Sequence, residues 1–200
     1  MANDSTNDDR LIISYLTLRK IVGVLGTALP FILFFGALIF FGTGIQDSIS
    51  SYYHTGMGDV FVGTLCVIGF FLLSYKGHEP KDDLAGDLAC VFAIGVALFP
   101  TTHGELISDT ARIIGYLHLA FAAAFFATLI YFSLRLFTKT NPDPDVQPTA
   151  RKLQRNKIYR ICGYTMAVCI ILIFIYSLLG DSVSAIKQYA PVFWLEGLAV

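Results

Sequence analysis

The chain has 200 residues, 55% of them apolar and 14% charged, with a mean hydropathy of +0.64. Soluble domains carry about 45–50% apolar and about 25% charged residues, so this composition excludes a disordered chain, a disulfide scaffold and an ordinary soluble enzyme. With 14 basic and 15 acidic residues the net charge is −1, and no general basic field exists to attract nucleic acid.

Lipid cannot hydrogen-bond a backbone, so a spanning segment is a helix of about 20 apolar residues or a strand of a closed barrel. The apolar runs here do not alternate with polar residues. They read as helices of an all-α, polytopic transmembrane bundle forming a single domain. Residues 1–20 are polar or interfacial. They lack the basic start and small-residue cleavage site of a secretory signal, and LIISYLTLRK reads as a short interfacial helix. Spans are predicted over 21–41, with a kink at Pro30, then over 60–75, over 84–99 up to Pro100, over 113–134 and over 158–179. Thr138 to Asn156, containing NPDPDVQPT, reads as a loop. A sixth segment, 191–200 (PVFWLEGLAV), is too short to cross about 30 Å of hydrocarbon at about 1.5 Å per residue. The expectation is therefore five full spans plus a sixth segment begun at the C-terminus, in a chain that reads as cut inside its last helix.

Basic residues near span ends stay on the cytoplasmic side. With the N-terminus inside, Arg10, Arg19, Lys20, Lys76, Lys81, Arg135, Lys139, Arg151, Lys152, Arg155, Lys157 and Arg160 all fall inside, and only Arg112 and Lys187 fall outside. This predicts a multi-pass protein of the inner (plasma) membrane with a cytoplasmic N-terminus. The basic run RKLQRNKIYR is explained by that bias, although it also suits anionic headgroups. Cys66, Cys90, Cys162 and Cys169 fall within spans, form no CxxC pair and read as buried apolar-type thiols.

The same threading gathers polar chemistry on the outer side: Asp47, Ser50, Tyr52, Tyr53, His54, Asp59, His103, Glu105 and Asp109, with His118 and Glu196 each about a turn and a half into a helix. A charged group in hydrocarbon costs about 2.5–3.5 kcal/mol and normally finds a partner or a wet cavity. His118 and Glu196 are thus expected to meet in one outward-facing pocket, with His54 and Asp59 at its rim. The competing reading satisfies each separately: His118 on a backbone carbonyl, Asp59 as a helix cap, Glu196 at the interface beside Trp194. SISSYYHTGMGD reads either as an aromatic belt with a turn or as a headgroup-binding loop. His54, His103 and His118, with Asp59 or Glu196, are the candidate zinc ligands by type, but no HExxH spacing is present. No phosphate loop, dinucleotide fingerprint or nucleophile elbow occurs.

The stretches SISSYYHTGMGDVFVG, GFFLLSYKG, GVALFPTT, GYLHLAFAAAFF and PVFWLEGLAV resemble a bacterial family of small membrane proteins catalogued as a domain of unknown function. The resemblance runs from about Leu16 to the end. It implies about six helices, a longer last helix and no known reaction. A more distant resemblance is to the superfamily of alkaline ceramidases and adiponectin receptors, whose pattern is Ser-x3-His, a later Asp and a late His-x3-His around zinc. Ser50 and His54 have the first spacing and Asp59 stands where the acid would, but the late His-x3-His is absent.

Three functions follow as expectations. The leading one is a non-enzymatic membrane protein, with membrane lipids as partners and no cofactor, that binds a lipid headgroup or small polar ligand through His54, Asp59, His118, Glu196 and Tyr53. The first alternative is a zinc-dependent transmembrane lipid hydrolase, with His54, His103 and His118 on the metal, Asp59 orienting water and Ser50 at the oxyanion. The second is a proton or ion transporter, for which the middles of the spans carry few titratable groups.

Overall fold

The computed structural model describes residues 15–75, 80–104, 108–139, 147–179 and 184–200. The polar N-terminal residues, the loop with Lys76 and His78, Glu105 and most of the proline-rich linker lie outside the described residues.

Among the described residues the chain is all-helical: α1 (Tyr15–Phe41), a 3-10 turn (Ser50–His54), α2 (Gly58–Leu73), α3 (Pro80–Leu98), α4 (Asp109–Tyr131), α5 (Ala150–Leu179) and α6 (Pro191–Ala199), with a single helical turn at Ser184–Lys187 before α6. Three helical stretches are long and apolar enough to cross a membrane, Lys20–Phe41, Asp109–Leu136 and Ala150–Leu179, and Gly58–Leu73 is a shorter apolar helix. Large apolar side chains such as Phe31, Ile39 and Phe40 on α1 and Phe174 and Leu178 on α5 face outward, as suits a surface wetted by hydrocarbon.

The helix ends follow local chemistry. α1 ends where Gly42 takes φ +63°, and Thr43 N–H returns to the Ala37 carbonyl at 3.0 Å. The start of α4 is capped by Ser108, whose hydroxyl accepts from Ala111 N–H at 3.2 Å. α4 then runs into a π turn, Phe132–Leu136, closed by Phe137 N–H on the Phe132 carbonyl at 2.9 Å. Pro191 opens α6 at its first turn.

Every helix up to α5 starts somewhat earlier than the sequence reading placed it, and the two largest differences are at the starts of α1 and α5. Residues 15–20 continue into α1 without a break instead of forming a separate interfacial helix. α5 starts at Ala150, well before Ile158, because the polar run RKLQRNKIYR is rich in good helix formers even though it is unsuited to hydrocarbon.

Successive helices pack side by side, α2 against α3 most extensively. That pair approaches closely at Gly86, where a Cβ would stand 2.7 Å from the Leu72 carbonyl oxygen. Connections gather at two ends. At one end, His54 reaches Thr101 and Phe193 N–H bonds the Asp47 carbonyl at 3.1 Å, so the connections after α1, α3 and α5 adjoin. At the other, Lys139 just beyond the π turn grips Asp82 in the first turn of α3, with Nζ 2.7 and 2.8 Å from its two carboxylate oxygens. The Asp82 side chain is 2% exposed.

Candidate functional site

The residues singled out by the sequence fall into two groups at the end where the α1, α3 and α5 connections meet. The first group is built on the segment leaving α3. The last carbonyls of a helix have no partner within it, and Pro100 brings no N–H to rearrange them. His118, buried on α4, bonds the Phe99 carbonyl through Nδ1 at 2.6 Å. His54, at the end of the 3-10 turn, bonds the Thr101 carbonyl through Nε2 at 2.7 Å. A carbonyl only accepts, so those two nitrogens carry the protons. The His103 ring stacks on His54 at 4.7 Å between centroids, and Tyr53 meets His54 edge-on at 5.2 Å. Two imidazoles thus fasten the exit of α3, one to α4 and one to the 3-10 turn. Asp59 is exposed in the first turn of α2, where a carboxylate suits the helix dipole.

The second group surrounds Glu196. Its Oε2 accepts the Ile49 N–H at 2.6 Å, joining α6 to the α1–α2 connection. Phe193, one turn earlier, packs against Phe34 at 6.5 Å and against Tyr52 at 6.0 Å between ring centroids. Tyr52 is wholly buried there. Burial pushes the Tyr52 phenol up from its ordinary value, and the backbone amide of Gln46 pulls weakly the other way without closing a hydrogen bond. Ala190, before Pro191, sits in the left-handed region at φ +47°, which turns the chain into α6.

Glu196 also borders a cavity of about 360 Å³ running through the bundle. Its walls are almost entirely apolar: Gly26 and Leu29 of α1, Leu65 and Leu72 of α2, Phe125 and Leu129 of α4, Met166 of α5. Ser50 joins Glu196 on the wall, while Tyr75, Tyr159 and Ser133 lie on it near the opposite end. The Ser133 hydroxyl donates to the Tyr159 carbonyl at 2.6 Å.

The sequence reading placed His118 and Glu196 in one pocket. In the structure only Glu196 lines the cavity; His118, His54, His103, Asp59 and Tyr53 do not. The reason is that His118 turns to the exit of α3, whereas Glu196 turns to Ile49. Among the described residues no three His, Cys, Asp or Glu side chains stand together as metal ligands would. His54 and His103 meet face to face, a stacking geometry. Of the four thiols, Cys90 and Cys169 are buried, Cys66 is half-buried and Cys162 is exposed. Sequence reasoning missed the cavity, because no spacing reveals which helix faces fail to touch. It also missed the Asp82–Lys139 pair, whose members lie 57 positions apart.

The Glu196 bond makes a separable prediction. Glu196→Ala leaves a part-buried N–H without its acceptor and is expected to lower stability by about 1–3 kcal/mol. Glu196→Gln keeps a carbonyl oxygen for Ile49 and is expected to remain within about 1 kcal/mol of the parent. Thermal unfolding in mild detergent reads the difference; equal losses in both variants would show that the bond adds nothing. No family model, curated protein or solved structure matches this chain.

Proposed function

We propose that this chain is a multi-pass protein of the plasma membrane that binds a membrane amphiphile, with the hydrocarbon tail inside the bundle and the polar end near Glu196 at the outer face. The threading is five spans and a begun sixth, with the N-terminus in the cytoplasm. Two features support that threading: alternate connections adjoin at opposite ends of the bundle, and twelve of the 14 basic residues belong to one side. The α2 and α3 segments, shorter or more charged than the other spans, are carried across by their packing on each other and on α4.

The observation that carries the binding reading is the cavity: about 360 Å³, apolar along its length and polar chiefly at its ends. Small-molecule sites have about 300–1,000 Å³ of mostly apolar wall and a few placed polar groups. At about 30 Å³ per water-sized group, the space suits a chain of roughly a dozen carbons. The stacked His54 and His103 rings, with Tyr53 edge-on to His54, present an aromatic surface at the same end, which suits the level where amphipathic rings meet headgroups. Binding asks for no metal and no reacting group, and the histidines already have structural work in holding the exit of α3.

The test is mass spectrometry of the protein released gently from membranes, beside Ala122→Trp, which grows a large ring from a cavity wall. The parent is expected to retain an amphiphile that organic extraction releases and identifies. The variant, folded by circular dichroism, is expected to retain at least about tenfold less, a change of about 1.4 kcal/mol in binding. A parent free of bound amphiphile, or a cavity found filled by protein, overturns the reading.

A further inference from the structure

Resting on amphiphile binding in that cavity, we infer that the polar end of the ligand is a hydrogen-bond donor, an amine or a hydroxyl, and that anionic amphiphiles are rejected. The argument is one of charge and unspent acceptors. Glu196 is the one acidic side chain on the wall, and no Lys, Arg or His lines the cavity among the described residues. Only one of its carboxylate oxygens is engaged, Oε2 with Ile49 N–H at 2.6 Å. Oε1 accepts no hydrogen bond from the described residues. Beside it the wall carries Ser50, whose neighbours Ser48 and Ser51 pair their hydroxyls with each other at 2.8 Å and leave the Ser50 hydroxyl uncommitted among the described residues.

A polar group taken from water into apolar walls must find a partner, and a charge must find an opposite one. A carboxylate or phosphate end entering beside Glu196 would meet a like group with no cation on the wall to offset it. An ammonium meets Oε1 as a charge-assisted donor, and a hydroxyl donates to Oε1 while accepting from Ser50. At the opposite end the wall carries Tyr75 and Tyr159 and, among the described residues, no cationic side chain; the Lys152 ammonium near that end donates to the Phe137 carbonyl at 3.3 Å.

Three probes with one tail separate the possibilities: dodecylamine, dodecanol and dodecanoate, titrated into the protein in zwitterionic-lipid nanodiscs, with Ala122→Trp as the background for partition into lipid. Dodecylamine and dodecanol are expected to bind saturably above that background, the amine tighter than the alcohol and at least about tenfold tighter than dodecanoate. Glu196→Gln, which keeps an acceptor for Ile49, is expected to remove the advantage of the amine over the alcohol. Dodecanoate binding as tightly as dodecylamine overturns the inference and leaves the cavity reading standing. An amine preference that survives Glu196→Gln also overturns it. No saturable binding by any of the three overturns the amphiphile reading beneath it.

Discussion

Replacing Lys139 by Met is expected to lower the stability of the bundle by about 1–3 kcal/mol, between the effects of breaking a surface pair and a fully buried one. Asp82 lies in the first turn of α3 with its side chain 2% exposed, and both its oxygens sit within 2.8 Å of the Lys139 ammonium. Removing the cation takes a charge-assisted partner from a carboxylate that the fold holds away from water. The loss is expected to exceed that of a surface pair, worth about 0–1 kcal/mol, because Asp82 is buried even though Lys139 is partly exposed. Adding Asp82→Asn to the Lys139→Met background removes the buried charge and is expected to recover part of the loss. The double-mutant cycle, read by thermal or denaturant unfolding in detergent, then gives the coupling energy. Strict additivity of the two single changes would show that the two side chains act independently. The pair ties the start of α3 to the segment beyond α4, so its loss is also expected to raise protease sensitivity at that end.

The second large effect is at Tyr52, and its sign depends on which part of the side chain is removed. The ring is wholly buried and packs on Phe193, so Tyr52→Ala is expected to destabilise by about 3–5 kcal/mol, the range for emptying a large aromatic site. The hydroxyl is buried without a hydrogen-bond partner among the described residues. An unpaired buried hydroxyl is unfavourable. Tyr52→Phe is therefore expected to be neutral or to stabilise by up to about 1 kcal/mol. A clear loss of melting temperature in Tyr52→Phe would mean that the hydroxyl is bonded after all, through water or through the Gln46 amide. Because Tyr52 belongs to the 3-10 turn and packs on Phe193 of α6, the Ala variant is also expected to loosen the seat of Glu196 on Ile49.

The helices were legible because length and apolar character suffice to find a hydrocarbon-crossing segment, and the centres of α1, α4 and α5 were placed correctly on that basis. Their ends were less so. Hydropathy stops at the first cluster of charges, whereas a helix stops at a cap, so α5 reaches back through Arg155 and Arg151 to Ala150. His118 and Glu196 stood out because ionisable groups are rare in apolar runs. Their partners did not, since Phe99 and Ile49 act through backbone atoms that leave no mark on side-chain identity. Tyr52 and Tyr53 are adjacent and chemically alike, yet one is buried and the other half-buried. A 3-10 turn sends neighbours to different sides, and nothing in SSYYH says which side is inward. The cavity is a property of six helices together and has no signature in any one of them.

The π turn at Phe132–Leu136 has a consequence for how α4 is read as a surface. Each residue of an α-helix advances about 100° around the axis, and the wider turn holds one residue more than that spacing allows. Side chains before Phe132 and after Leu136 therefore keep different angular clocks. A wheel drawn through the whole segment misplaces the later residues by roughly one position. With the extra residue, Phe132, Ser133 and Leu136 are buried in the turn, and Lys139 emerges facing Asp82. The C-terminal end of α4 is thus phased to α3 and α5, while its N-terminal part, with His118, is phased to the exit of α3.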